Sequence, residues 1–276
     1  MQEQAGLTSF PDAKGVPERE ISSDPQLNFN GLGRLKGVTY RVGFQVQREL
    51  RNQFEPWLRV PPPPFDCIDP KLTLLAQYYK AKIETADGRQ VAQLTYRVVN
   101  GNYLEDFHED LQMSEYGGQE LEEIFALLYE NDGRLRDRWM TGRDAGTKIF
   151  GPELSAKATK VAVLSCVDKD PRGDFLMVHE DFRRHGIGQW ALQALLQVLR
   201  DEGVKVVLTR PTAPRLEPEY KGTPVETLYL RRNLRFARKA GFRRVGLSPI
   251  FAYMATDSNH PSRQLPADGD TDPASP

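Results

Sequence analysis

Hydrophobic and polar positions change their period several times along the chain, and each change predicts a new element. Leu72–Glu84 and Gln90–Val99 are rich in Tyr, Ile, Val and Thr, which are residue types that favour strands. The Asp-Gly pair within residues 86–88 separates them and is a strong turn signal. We therefore expect an antiparallel β-hairpin at this position.

Three later segments place apolar side chains at helical spacing, and a glycine follows each one as a stop signal. The predicted helices are Glu120–Tyr129, Gly188–Asp201 and Val225–Ala240, followed by Gly133, Gly203 and Gly241.

Short apolar segments between and after the helices predict strands. Val204–Thr209 is an almost continuous apolar run, which is typical of a strand that is covered on both faces. The other predicted strands are Lys160–Val167, Asp174–Val178, Phe242–Leu247 and Ile250–Met254. A hairpin followed by alternating helices and strands predicts one α/β domain, with a mixed central sheet flanked by helices.

Both ends of the chain lack this periodicity. Residues 1–28 form a polar arm and residues 256–276 form an acidic tail that contains prolines, so we predict that both are disordered. The predicted domain therefore spans residues 29–255. Within it, Pro61–Pro64 predicts a stiff extended spacer, with a ligand for a partner protein as the alternative.

Composition limits the class of protein. The 276 residues include only Cys67 and Cys166 as cysteines, which excludes a disulfide framework and favours a reducing compartment. No apolar run approaches the length of a membrane span, and the first residues do not resemble a secretory signal. We therefore expect an intracellular protein, cytoplasmic or nuclear, without membrane association.

The net charge of −1 results from two opposed blocks. Residues 101–133 contain ten acidic side chains and no Lys or Arg, whereas residues 183–244 contain 14 Lys or Arg and five acidic side chains. The acidic block is either a solvated surface or a field that attracts a cationic partner. Nucleic-acid binding through the arginines of the basic block is disfavoured, because no aromatic platform accompanies them.

The segment that carries chemistry runs from Phe175 to Trp190. A predicted strand ends near Val178, and residues 183–188, with the sequence RRHGIG, lead directly into a helix. Glycines and a helix N-terminus present backbone N–H groups to an anion, and the two arginines add positive charge. The loop therefore suits a pyrophosphate, with an ordinary strand-to-helix turn as the alternative.

Two motifs in this region resemble those of the GNAT superfamily of N-acetyltransferases. Leu176 to Gly188 reads L-x-V-x-x-x-F-R-x-x-G-x-G and resembles the acetyl-CoA signature of that family. Asn233 to Phe242 resembles its second hallmark, a helix with an asparagine that runs into Gly-Phe and a final pair of strands. The resemblance is strongest over residues 160–255.

This resemblance implies an acetyl-CoA-dependent N-acetyltransferase without a metal. Two parallel strands, Asp174–Val178 and Val204–Thr209, would splay apart around the pantetheine arm, and the Val178 N–H would polarise the thioester carbonyl. The amine would attack that carbonyl directly. Other groups implied to contact the cofactor are Arg183, Arg184, His185, Gly186, Ile187 and Gly188 at the pyrophosphate, and Asn233 and Phe236 at the pantetheine arm.

The chain departs from the family at the position of the usual general acid. Ala237 stands where many members carry a tyrosine that protonates the leaving thiolate. The acid could instead be water or one of three other tyrosines, or the reaction could proceed without an acid. The three tyrosines are Tyr220, Tyr229 and Tyr253. A domain that binds coenzyme A, or a partner protein, without turnover therefore stays an alternative.

The general base and the acceptor are less well defined. Five residues near the strand that precedes the loop are candidate general bases. Glu180 and Asp174 are preferred, and the others are His179, Asp168 and Asp170. The acceptor is expected to be an amine, either a small molecule or a Lys or N-terminal amine of a protein. The four histidines and two cysteines show no metal-ligand spacing.

Overall fold

The computed structural model describes residues 20–21, 26–28, 39–48, 76–85, 89–103, 106, 109–110, 118–157, 159–164, 175–212 and 222–270. Ten strands lie in these ranges: β1 Glu20–Ile21, β2 Gln26–Asn28, β3 Thr39–Arg48, β4 Ala76–Thr85, β5 Gln90–Asn100, β6 Lys160–Leu164, β7 Leu176–Val178, β8 Val204–Thr209, β9 Arg243–Arg244 and β10 Phe251–Met254. The α-helices are α1 Gly118–Leu128, α2 Asp137–Met140, α3 Ile187–Asp201, α4 Pro224–Lys239 and α5 Pro261–Gln264.

The strands form one mixed sheet in the order β1-β3-β4-β5-β6-β8-β10-β9, with β2 paired to β3 and β7 paired to β5. β4 and β5 form the predicted antiparallel hairpin, and β6 and β8 are the parallel pair. The mixed α/β sheet that the pattern predicted is therefore confirmed.

Helices cover the sheet on both faces. On one face, α3 packs its apolar stripe against side chains of β5 and β8, and Phe182 and Phe242 are almost fully buried there. On the other face, Phe125 of α1 and Tyr129, the residue that follows the helix, are buried in the same cluster as Val206 of β8. Burial on both sides explains why β8 reads as a continuous apolar run.

The C-terminal segment corrects one prediction. Residues 256–270, which the sequence analysis predicted to be disordered, pack onto the domain. His260 is 6% exposed and stacks on Phe150 with ring centroids 5.5 Å apart, and Ser262 and Asp270 are buried. The contacts that hold the segment are polar and aromatic, so they leave no hydrophobic period in the sequence. Residues 271–276 lie outside the described residues.

The N-terminal arm also differs from the prediction where it is described. β1 and β2 fall within residues 1–28, and both pair antiparallel with β3. These pairs are made by backbone hydrogen bonds, which need no apolar periodicity in the shorter strand. The proline run at 61–64 lies outside the described residues.

Candidate functional site

An opening in the sheet lies beyond the point where β6 and β8 stop pairing. Their parallel register ends at Leu164 opposite Thr209. β7 then continues along the same edge of β5, with Leu176 opposite Leu94, and within the described residues it pairs with no second strand. β7 therefore presents one free edge where β8 ends.

The backbone groups of Val178 face this opening. Phe175 O accepts a hydrogen bond from Thr95 N, and His179 N donates to Val91 O, both at 2.9 Å. Alternate residues of a strand direct their N–H and C=O groups to opposite edges, so those of Leu176 and Val178 point away from β5. The Val178 N–H therefore points into the opening, where it is available as a hydrogen-bond donor.

The loop after β7 uses two left-handed backbone conformations. Arg184 has φ 65° and Gly186 has φ 80°, and Gly186 is the N-cap residue of α3. A non-glycine residue in this region stores about 1 kcal/mol or more of strain, which occurs mainly at functional loops. The resulting turn carries the chain from the end of β7 into the helix.

The N-terminus of α3 has free backbone donors. Trp190 N is the first to bond back into the helix, at 3.0 Å from Gly186 O, and no side chain caps the start. A Cβ atom at Gly186 would meet nothing within 4 Å. Ile187 is buried, so only its backbone can face a ligand there. Open space, free N–H groups and the helix dipole are the features that binding of an anion at a helix N-terminus requires.

Three elements meet at Gly188. A Cβ atom there would lie 3.3 Å from Leu176, 3.5 Å from Val178 and 3.7 Å from the ring of Phe236. The glycine therefore allows α3 to approach both β7 and α4 closely. Val178 and Phe236, both predicted cofactor contacts, are brought together at this point.

The remaining predicted contacts differ in their setting. Arg183 and Arg184 are exposed and His185 is half-buried. The Arg183 side chain bends back, and its Nε donates to Val178 O at 3.0 Å, so its guanidinium lies at the free edge of β7. Asn233 donates through Nδ2 to Thr212 O at 2.7 Å, so that its amide fixes the segment after β8.

The base candidates are only partly described. Glu180 is exposed in a turn of 3₁₀ helix, Glu180–Phe182, and His179 is half-exposed, 3.8 Å from Asp181. Asp174, with Asp168 and Asp170, lies outside the described residues. Of the alternative acids, Tyr229 is 38% exposed on α4, whereas Tyr253 is 7% exposed and packs against Phe242. Tyr220 lies outside the described residues.

Sequence reasoning missed Arg89, which anchors the loop from the start of β5. Its Nη2 lies 2.7 Å from Asp181 Oδ2, and its guanidinium stacks 4.9 Å from the ring centre of Phe182. Arg89 lies directly after the hairpin turn, 92 positions before Asp181 in the sequence. No local sequence pattern could therefore reveal this pairing.

Part of the opposed charge is compensated within the protein. Glu123 of α1 pairs with Arg210, the residue after β8, at 2.9 Å. Arg238 and Arg243 of the basic block hold the C-terminal segment, and the Arg244 guanidinium lies over the ring of Phe251. Arg231, Arg232 and Arg235 stay exposed on α4.

Other features of the described residues do not compete with this site. A cavity of about 150 Å³ beside Tyr79, Asn100 and Lys160 lies at the opposite end of β6. Among the residues that the structure describes, no group of His, Cys, Asp or Glu is arranged to hold a metal ion, and no helix is long and apolar enough to cross a membrane.

One comparison with known proteins gave a match. The model of the acetyltransferase (GNAT) family matches residues 105–221, which include β7, the loop and α3 and end before α4. No curated protein and no solved structure matched the chain.

Proposed function

We propose that the chain transfers an acetyl group from acetyl-CoA to an amine, on the premise that its segment 105–221 matches the model of the acetyltransferase (GNAT) family. The observation that carries the proposal is the uncapped N-terminus of α3 beside the free edge of β7. The first suits a pyrophosphate, and the second suits an extended arm that ends in a thioester.

The proposed reaction is a direct transfer. The neutral amine nitrogen attacks the thioester carbon, and a new C–N bond forms while the carbonyl oxygen gains negative charge. The Val178 N–H would stabilise that oxygen. The C–S bond then breaks, the thiolate of coenzyme A leaves, and the nitrogen gives up its extra proton to the thiolate or to water, which yields the neutral amide. An ordinary thiol has a pKa of about 8.5, so this group leaves without obligatory protonation.

Either Glu180 or Asp174 is proposed to take the proton from the acceptor. An alkylamine has a pKa of about 10.4 and is almost fully protonated at neutral pH, so a base or a local positive field must generate the nucleophile. Variants Glu180→Gln and Asp174→Asn test this role. A general base acts only when deprotonated, so it causes the rise in rate on the acidic side of the pH–rate profile. Loss of this acidic limb in one variant, with acetyl-CoA affinity unchanged, identifies that residue as the base.

The function is tested by titration calorimetry with acetyl-CoA, followed by a thiol-release assay over a panel of amines. We expect binding of acetyl-CoA and amine-dependent release of coenzyme A. Absence of binding would refute the proposal. Peptides with free N-termini or lysines and small polyamines should both be in the panel, because the proposal covers either kind of acceptor.

A non-catalytic domain that binds coenzyme A is the second candidate, and the absence of a phenol at Ala237 favours it. Ala237 is 4% exposed and lies in the core, and Tyr253 is 7% exposed and packs against Phe242. Saturable binding of coenzyme A with no thiol release from any amine, and with no slow hydrolysis of acetyl-CoA, would support this candidate.

We further propose a cationic acceptor, on the basis of the acidic block at 101–133. Charge reversal of Glu120, Glu122 and Glu123 should raise KM for a basic acceptor and leave KM for acetyl-CoA unchanged. If the triple variant leaves both KM values unchanged, the acidic block is only a solvated surface.

The location is proposed to be intracellular from the cysteine content alone, since Cys67 and Cys166 form no framework of disulfides. Fractionation of cells that express a tagged chain tests this, and recovery from the medium would contradict it.

A further inference from the structure

The hydroxyl of Thr209 is buried without a hydrogen-bond partner among the described residues. The residue is 1% exposed. A buried polar group left unpaired costs about 1–3 kcal/mol, and native proteins keep few of them. Such a group therefore calls for an explanation.

Thr209 stands at the edge of the opening. It is the last residue of β8 and lies opposite Leu164, where pairing with β6 stops. Its side chain shares a sheet face with that of Val207, two residues earlier, which packs in the cluster under α3. The hydroxyl thus lies on the face that α3 and Phe236 cover.

A second unpartnered group lies on α3. Gln189 is the third residue of the helix, and its Oε1 is buried with no partner among the described residues. A glutamine at this position often accepts a bond from the backbone N–H at the helix start. Here it leaves the Gly186 N–H free, so its own oxygen also needs a donor from elsewhere.

We propose that Thr209 and Gln189 hydrogen-bond the polar groups of the pantetheine arm of acetyl-CoA. This inference rests on the proposed function. The arm contains two amides and a hydroxyl, so it supplies an N–H for Gln189 Oε1 and either a donor or an acceptor for the Thr209 hydroxyl. The two side chains then position the arm along the free edge of β7 and select acyl donors that carry these amides.

Two ligands that differ only by the arm test the proposal: coenzyme A, and 3′-phosphoadenosine 5′-diphosphate, which keeps the pyrophosphate and lacks pantetheine. Thr209→Val keeps the shape and removes the hydroxyl, and Gln189→Met keeps the length and removes the amide. We expect each variant to weaken binding of coenzyme A by about threefold to tenfold, the effect of one hydrogen bond, and to leave binding of the diphosphate unchanged.

Controls separate this role from a structural one. Thr95→Val changes another buried threonine, on the opposite face of the sheet, and should leave the ratio of the two affinities unchanged. Thr209→Val should also match or exceed the wild-type Tm without ligand, because an unpaired hydroxyl is replaced by a methyl group.

The outcomes distinguish the two proposals. Equal affinity of wild type and both variants for coenzyme A would overturn the inference, and so would equal weakening of both ligands. If the wild-type protein bound neither ligand, the proposed function itself would fail.

Discussion

Arg238 and Asp270 form a buried ion pair across 32 positions of the chain. Arg238 Nε lies 2.5 Å from Asp270 Oδ1, and Arg244 N donates to the second carboxylate oxygen at 2.9 Å. The carboxylate is fully buried and has a donor at each oxygen. This pair fastens the C-terminal segment to α4 and to the edge strand β9.

Replacement of Asp270 by Asn should destabilise the protein. Removal of one partner leaves the Arg238 guanidinium, whose side chain is 14% exposed, without its counter-charge. Loss of one partner of a buried pair costs about 3 kcal/mol or more. Urea unfolding measures the change, and Asp268→Asn, an exposed carboxylate two residues earlier, serves as the matched control with an expected loss below about 1 kcal/mol. Equal midpoints for both variants would contradict the role of the pair.

Replacement of Gly186 by Leu should abolish acetyl-CoA binding. Its φ of 80° disfavours any other residue, and the new side chain would fill the open space at the helix start. Gly203 is a matched control at the other end of α3, because its φ is 79° and its surroundings are equally open. Gly203→Leu should cost similar stability and leave calorimetric affinity for acetyl-CoA unchanged. Loss of affinity in both variants would attribute the effect to strain alone.

Arg89→Ala should weaken acetyl-CoA binding about fivefold. The side chain combines an exposed ion pair to Asp181 with a cation–π contact to Phe182, each worth up to about 1 kcal/mol, and both contacts hold the segment that leads into the loop. The control is Arg134→Ala, which removes another exposed ion pair, to Asp132, outside the loop. Unchanged affinity in Arg89→Ala would show that the loop keeps its shape without this anchor.

The Asp132 carboxyl should titrate below its usual pKa. The backbone N–H of Arg134 bonds it, and so does the guanidinium, and both favour the charged form. Its pKa is therefore lower in the folded state than in the unfolded one. The associated stabilisation is present above the unfolded pKa and is lost as pH falls through the folded pKa. Carbon NMR of the carboxyl measures this, and Arg134→Ala should bring the pKa part of the way back. An unchanged pKa in that variant would leave the backbone bond as the sole cause.

The sequence predicted the helices and strands best where an element has a long apolar stripe or is buried on both faces. β8 has the predicted bounds, and α3 and α4 begin only one residue earlier than predicted. The two helices were predictable because each has a long apolar stripe and a glycine after its end. β9 is shorter than predicted and covers only Arg243–Arg244, since Gly246 has φ 55° and Leu247 N bonds to Asp144 O in a turn.

The site was predictable as a motif but not as a geometry. The glycines at 186 and 188 and the strand before them can be read from local spacing. The edge to which the Val178 amide points depends on its register with β5, and the contact of Arg89 with Asp181 joins distant positions. The C-terminal segment was wrongly predicted to be disordered because single charged residues hold it in place. The local composition of the sequence does not distinguish such residues from charged residues that are exposed to solvent.

The shared edge of β5 has a consequence for how such a protein can change. Val163 and Leu176 lie opposite Arg97 and Leu94, so both ends of the segment 165–174 are fixed by β5 only three positions apart. Its length is therefore not set by the sheet. Insertions and deletions between β6 and β7 are therefore compatible with the same order and register of strands.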